Sequence, residues 1–313
     1  MRVAELIALA IYAALVVGLA GCRREPEHPS TPSPPPTPRP KRVYLRPFPD
    51  PDHTQHYRWR DILDNPYSER FRQTTPYREG CAWHELSGGE TLSGWLHVRG
   101  LKPNFAYQVK LEGRPTCPYP WPKNALRDPR NWANVQLGKL GRWWCDTCRW
   151  NVADAELKNH RGHMIYGYVL FDYFVTDGLG NADVKLSFDS SFHVVWRFDQ
   201  RPRGDRDGDI RPYLVQSARD ERTGEIYAYS SQVRPAVVPL YAEWEPGRPV
   251  PGQAKLPPGE YRCALLLTEE SLHNAPPELA EAFPTARTNF PDGGFWAHCL
   301  VDDNLKFQVL REN

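Results

Sequence analysis

The chain has almost no net charge: 39 Lys and Arg stand against 38 Asp and Glu in 313 residues, a formal charge of +1. With no basic stripe and no matching fold signature, nucleic acid is not an expected partner. The common catalytic signatures are missing as well. There is no G-x-S-x-G elbow, no H-E-x-x-H helix, no P-loop and no G-x-G-x-x-G turn. Stretches of Ala, Leu, Glu and Lys that would build helices are scarce, and no internal repeat occurs. In their place stand 32 prolines and 11 tryptophans, a balance that favours short strands joined by long ordered loops.

The first residues are apolar and uncharged from Leu6 to Gly21, with Arg2 before them and Arg23 and Arg24 after. This run is long enough for a signal h-region and cleavage site but marginal for a membrane span, which needs about 20 apolar residues. An uncleaved anchor helix is the alternative. Leu19-Ala20-Gly21-Cys22 resembles the lipobox of bacterial lipoproteins. The resemblance implies removal of residues 1–21, acylation (palmitate among the lipids) of Cys22, and a protein held at the cell envelope outside the cytoplasm. Arg23, not being Asp, implies the outer membrane where the host has one. Residues 22–42 form a proline-rich stalk, whose 25–41 stretch reads EPEHPSTPSPPPTPRPK and is expected to be extended polyproline II at about 3.1 Å per residue.

Residues 43–313 are expected to fold as one β domain. Thr91 to Arg99 and Phe105 to Glu112 alternate apolar and polar side chains, the pattern of half-buried antiparallel strands. Met164 to Thr176 is apolar on both faces apart from Asp172, and reads as a central strand. Asp177 to Asn181 is a turn cluster, from which Val184 to Phe188 is expected to return as a hairpin partner. Phe192 to Phe198 would be the third strand of that sheet. Ala236 to Trp244 is a strand whose Pro239 puts it at an edge or bulge; Tyr261 to Thr268 and Leu305 to Leu310 complete the set. Residues 43–80 lack a sustained period, apart from one helical turn near Trp59 to Leu63. Between the first two strands, Leu101, Pro103 and Tyr107 resemble the tyrosine corner of fibronectin type III domains, in which the tyrosine hydroxyl bonds the incoming backbone. The resemblance implies an immunoglobulin-like sandwich and no activity. The expected fold for the chain as a whole is mainly β, an immunoglobulin-like or jelly-roll β-sandwich with long loops and few helices. GLKPNFAYQVKLEG, GYVLFDYFVTD and LLLTEESLH also resemble secreted proteins of archaea and bacteria, again without implying an activity.

Residues 113–163 interrupt this pattern with a Pro-, Trp- and Cys-rich excursion. An ordered excursion of that length is functional or an embedded part of the fold. With Cys22 acylated, six cysteines remain, an even number suited to disulfides in an oxidising compartment. Cys263 with Cys299 and Cys81 with Cys117 are the expected pairs. Cys145-Asp146-Thr147-Cys148 would then be a tight disulfide. Haem attachment is excluded because Arg149 replaces the required histidine, and a redox dithiol lacks strand-helix context despite Trp144 before the first cysteine. Zinc is the competing reading: Cys145, Cys148, His160 and His163 follow C-x2-C-x11-H-x2-H, and Cys81 with His84 offers further ligands. Asp205, Asp207 and Asp209 begin like a calcium loop but lack its later glycine and bidentate acid, so a solvated loop is expected.

Catalytic candidates are limited to acids at strand ends. Asp172 is the most pointed, with Glu243, Glu245, Glu269, Glu270 and Asp302 behind it, because two carboxylates about 5 to 10 Å apart would serve a glycosidase. Trp121, Trp132, Trp143, Trp144 and Trp150 supply either core or a surface for sugar or protein. The sequence therefore points to a membrane-anchored binding or structural module contacting protein or saccharide through the excursion. A secreted hydrolase and a metal-binding protein are the alternatives.

Overall fold

The computed structural model describes residues 41–48, 80–103, 105–189, 191–195, 213–214, 225–228, 236–239, 241–244, 254–270 and 296–311. These belong to a compact unit, Pro40–Asn313. The leader, Cys22, most of the stalk, the Trp59 to Leu63 turn, Asp205 to Asp209 and Glu245 lie outside the described residues.

The protein is mainly β. One antiparallel sheet has four strands in the order β1 (Val43–Tyr44), β3 (Cys81–His84), β4 (Ser93–Arg99) and β9 (Ala182–Ser187). The other has seven: β2 (Arg46–Pro47), β16 (Trp296–Val309), β15 (Gly259–Glu270), β5 (Ala106–Gly113), β8 (Ile165–Val175), β6 (Arg142–Cys145) and β7 (Trp150–Val152). Their facing sides meet in one core. Leu96, Val98, Val184 and Leu186 come from the smaller sheet, and Val109, Leu111, Val169, Leu265, Leu267 and Phe307 from the larger. This is the layering of a β-sandwich, in which each strand's apolar set is buried against the opposite sheet. Smaller pairings join β10 (Phe192–Val195), β14 (Tyr241–Trp244) and β11 (Tyr213–Leu214), and β12 (Glu225–Ala228) with β13 (Ala236–Pro239).

Two sequence expectations are corrected here. The strand after the Asp177 turn does not pair with its predecessor: β9 pairs β4 in the other sheet, and β10 pairs β14. β5 takes one edge of β8 from Tyr168 to Val175, and β6 takes the other only at Ile165–Tyr168, away from the turn. The turn itself bends away. Asp177 Oδ1 accepts from the backbone of Leu179 and Asn181, and Gly180, at φ +78°, offers its carbonyl to the Leu101 N–H. The second correction concerns β5, whose polar side is not at the solvent. Gln108, Lys110 and Glu112 are all buried, with Lys110 Nζ 2.8 Å from Glu112 and 4.2 Å from the centre of the Tyr168 ring.

The excursion contains a helix that the sequence reading passed over, α1 (Pro129–Leu140). Asp128 caps it by accepting from Arg130 N, Pro129 fixes the first turn, and Gly141 follows its last residue. The helix rests where the larger sheet has no side chains. A Cβ on Gly113 would fall 2.3 Å from Asn134 Cα, one on Gly167 2.1 Å from Asn134 O, and one on Gly259 2.7 Å from the Trp132 indole nitrogen. Asn134 closes the contact by donating to Ile165 O and accepting from Gly167 N. These three glycines, on neighbouring strands, let the helix backbone sit directly on the sheet and hold the excursion in place.

Candidate metal centre

The second half of the excursion is a tight hairpin. Its first strand, β6, ends at the fully buried Cys145. Beyond it, Cys148 N donates to Cys145 Sγ (3.2 Å) and Arg149 N donates to Cys145 O (2.8 Å). Arg149 takes a left-handed φ of 66° and sends the chain back into β7. The same turn is tied to the start of β8, where Asp146 N donates to Met164 O. A 3-10 turn, Asp154–Asn159, delivers His160 at its end, and a reversal at Gly162 (φ +83°) brings His163 alongside. Tyr119 pins that reversal, its N–H donating to His163 O and its carbonyl accepting from Gly162 N.

These backbone constraints bring four ligand atoms together. The ligand atoms of Cys145, Cys148, His160 and His163 all lie within 4.8 Å of one another. Cys145 Sγ is 3.4 Å from His163 Nδ1, and Cys148 Sγ is 3.5 Å from both His160 Nδ1 and His163 Nδ1. A tetrahedral zinc ion with Zn–S near 2.3 Å and Zn–N near 2.05 Å requires an S–N edge of about 3.6 Å. The two imidazoles meet at 66°, as ligands converging on one point do. Without a cation the Cys148 thiol is pushed up to about 11, chiefly by its hydrogen bond with Cys145, then by burial and by repulsion from a Cys145 thiolate. A divalent cation removes that repulsion. All four positions are protein ligands, which is the arrangement of a structural zinc rather than a catalytic one.

Beneath the cluster lies a small core of Trp143, Cys145, Val152 and Ile165, packed by Tyr119, Trp121, Cys148 and Leu157. Trp121 stacks on Trp143 (5.4 Å between centroids), and the Trp143 indole N–H donates to Asp154. Of the five tryptophans expected at a binding surface, Trp121 and Trp143 therefore serve this core and Trp132 packs against the main one. Trp144 is half-buried, while Trp150 is 57% exposed.

The expected disulfides are not formed: Cys81, Cys117, Cys145, Cys148, Cys263 and Cys299 are all free. Cys263 faces Leu305 across the ladder, whereas Cys299 sits beside Leu300, opposite Leu267. That separation, about four residues at roughly 3.3 Å each, is beyond the reach of a bridge. Nor do Cys81 and His84 join the metal cluster. Cys81 is exposed on β3, while His84 turns inward, with Nε2 3.1 Å from Asp302 Oδ2 and Nδ1 accepting from Leu86 N. The second contact leaves the proton on Nε2, so the pair forms a polar link between the two sheets.

The candidate acids are dispersed. Asp172 is buried at a bulge in β8, its carboxylate accepting from Tyr173 N and its carbonyl from Gln108. Glu269 pairs with Lys102, and Asp302 with His84. Glu243 lies on β14 and Glu270 ends β15. Asp172, Glu269 and Asp302 are thus each held by a partner other than a second acid. At the corner, Tyr107 OH accepts from Lys102 N at 3.0 Å. No described helix is long and apolar enough to cross a membrane. The fold and site thus define a β-sandwich protein with a candidate Cys2His2 metal centre. Comparison with protein families, curated proteins and solved structures returned no match.

Proposed function

We propose that the protein is an extracytoplasmic binding module, tethered through Cys22 and the proline-rich stalk. In this reading the excursion is folded around one structural zinc ion and makes the contact with protein or saccharide. The convergence of Cys145, Cys148, His160 and His163 carries the proposal, since four soft or borderline ligand atoms meet at the spacing a tetrahedral zinc requires. The exposed ring of Trp150, which opens β7 directly after the cysteine turn, supports the binding role. The closed ligand set supports a scaffold over a hydrolase.

Protein prepared with its metal retained should contain one zinc per chain. Cobalt(II) in its place should give the visible bands of a tetrahedral S2N2 site together with thiolate charge transfer. Absence of metal, with Cys145 and Cys148 found bridged in unreduced protein, would overturn the zinc reading. The tether is tested separately: Cys22→Ser should shift the protein from the membrane to the soluble fraction, or block processing. Continued membrane retention of a processed chain would sink the tether while leaving the zinc site untouched.

A further inference from the structure

A second site lies where β5 leaves the larger sheet. A cavity of about 430 Å³ is lined by Arg114, Thr116, Arg130, Arg262, Asp303 and Asn304, with Pro115 and Cys263 completing the wall. None of these residues belongs to the metal cluster. Three arginines therefore line one space, from the loop after β5, the first turn of α1 and β15. Their charge draws an anion wherever the local carboxylates leave donors unmatched.

The nearby carboxylates fill the anion's role only in part, pairing Arg130 and Arg114 but not Arg262. Asp128 is held by Arg130, which lowers its pKa and occupies both of its oxygens. Glu112 is shared between Lys110 and Arg114. Asp303 gives one oxygen to Arg46 and the other to Asn304. Arg262 makes no ion pair among the described residues, and its hydrogen bond is a 3.5 Å reach to Asn304 Oδ1. Arg114 Nε is buried with no partner. Thr116 Oγ1 already accepts from Asn131 Nδ2, which leaves its hydroxyl proton to donate.

We propose that this cavity binds a tetrahedral oxyanion, as inorganic phosphate or a phosphomonoester. A planar carboxylate satisfies one guanidinium fork, whereas the Arg262 fork, Arg114 Nε and the Thr116 hydroxyl together need the several oxygens of a phosphate. Arg262 and Arg114 supply the unmatched donors, and Arg130 places a third charge beside the N-terminal turn of α1.

Calorimetric titration of the metal-loaded chain at low ionic strength tests this, with inorganic phosphate, glycerol 1-phosphate and acetate as probes. Phosphate should bind saturably, and Arg262→Gln should weaken it roughly tenfold or more, the effect of losing one charge-assisted contact. Arg130→Gln, at a helix N-terminal turn and outside the sheet, should also weaken binding and serves if Arg262→Gln does not fold. Lys185→Gln, on β9 of the other sheet, should leave affinity unchanged. Equal binding of glycerol 1-phosphate identifies a phosphomonoester site, while binding of phosphate alone identifies a site for the free anion. No saturable phosphate binding, equal weakening by Lys185→Gln, or acetate binding as tightly as phosphate would each overturn the assignment.

Discussion

Cys145→Ser should yield a protein without stoichiometric zinc, in which residues 142–165 exchange their amide protons freely while β4, β5 and β15 stay protected. Cys145 is the ligand least open to replacement. It is buried, it ends β6, and its sulfur and carbonyl receive the two N–H groups that shape the turn. Outer-shell changes at zinc sites reduce metal affinity about 10–100-fold, and loss of a thiolate ligand should exceed that range. The small core below has four buried side chains, too few to hold a hairpin and a 3-10 turn without the metal. Because Trp121 and Trp143 stack in that core, tryptophan fluorescence should shift with metal loss. Cys117→Ser and Cys299→Ser, outside the cluster, should keep the zinc. Full protection of residues 142–165 in metal-free Cys145→Ser protein would show that the tryptophan core alone folds the excursion.

The sequence carried the spacing of this cluster openly, and its compartment argument turned the reading toward disulfides. Spacing could not show that Arg149 reverses the chain at a positive φ, nor that Tyr119, distant in sequence, fixes the His160 to His163 reversal. Those two constraints bring sulfur and imidazole to metal-binding separation. The alternation of β4 is legible because one-sided burial leaves a period of two, whereas β5 alternates in sequence although both its faces are buried. Pairing was not readable, because the same alternation suits either sheet. The strand after Asp177 joined β4 for reasons held in the turn. Helix α1 did leave a local signal, Asp128 and Pro129 at one end and Gly141 at the other. Its seat on Gly113, Gly167 and Gly259 left none, since the three glycines are far apart in the chain and meet only once the sheet is assembled.

Lys102→Met should be among the most destabilising single changes in the domain, by about 3–5 kcal/mol, although Lys102 reads in the sequence as an ordinary loop lysine. Its side chain is 1% exposed, with Nζ 2.7 Å from Glu269 Oε2 and 4.7 Å from the Phe105 ring centre; the Glu269 side chain is 2% exposed. The backbone fixes this placement. Lys102 N donates to Tyr107 OH, and Lys102 O accepts from Thr176 Oγ1 at 2.5 Å, so the ammonium is held against β15. Removing one partner leaves a charge that was desolvated to meet its opposite, whereas removing both leaves an apolar site of similar shape. Lys102→Met with Glu269→Leu should therefore recover most of the loss, and the double-mutant cycle should show a coupling of several kcal/mol in chemical unfolding. Additive losses would mean that each residue acts through its other contacts and that the pair is incidental. A strong coupling would make the pair the electrostatic tie between the corner at Tyr107 and the central strand β15, bridging positions 167 residues apart in the chain.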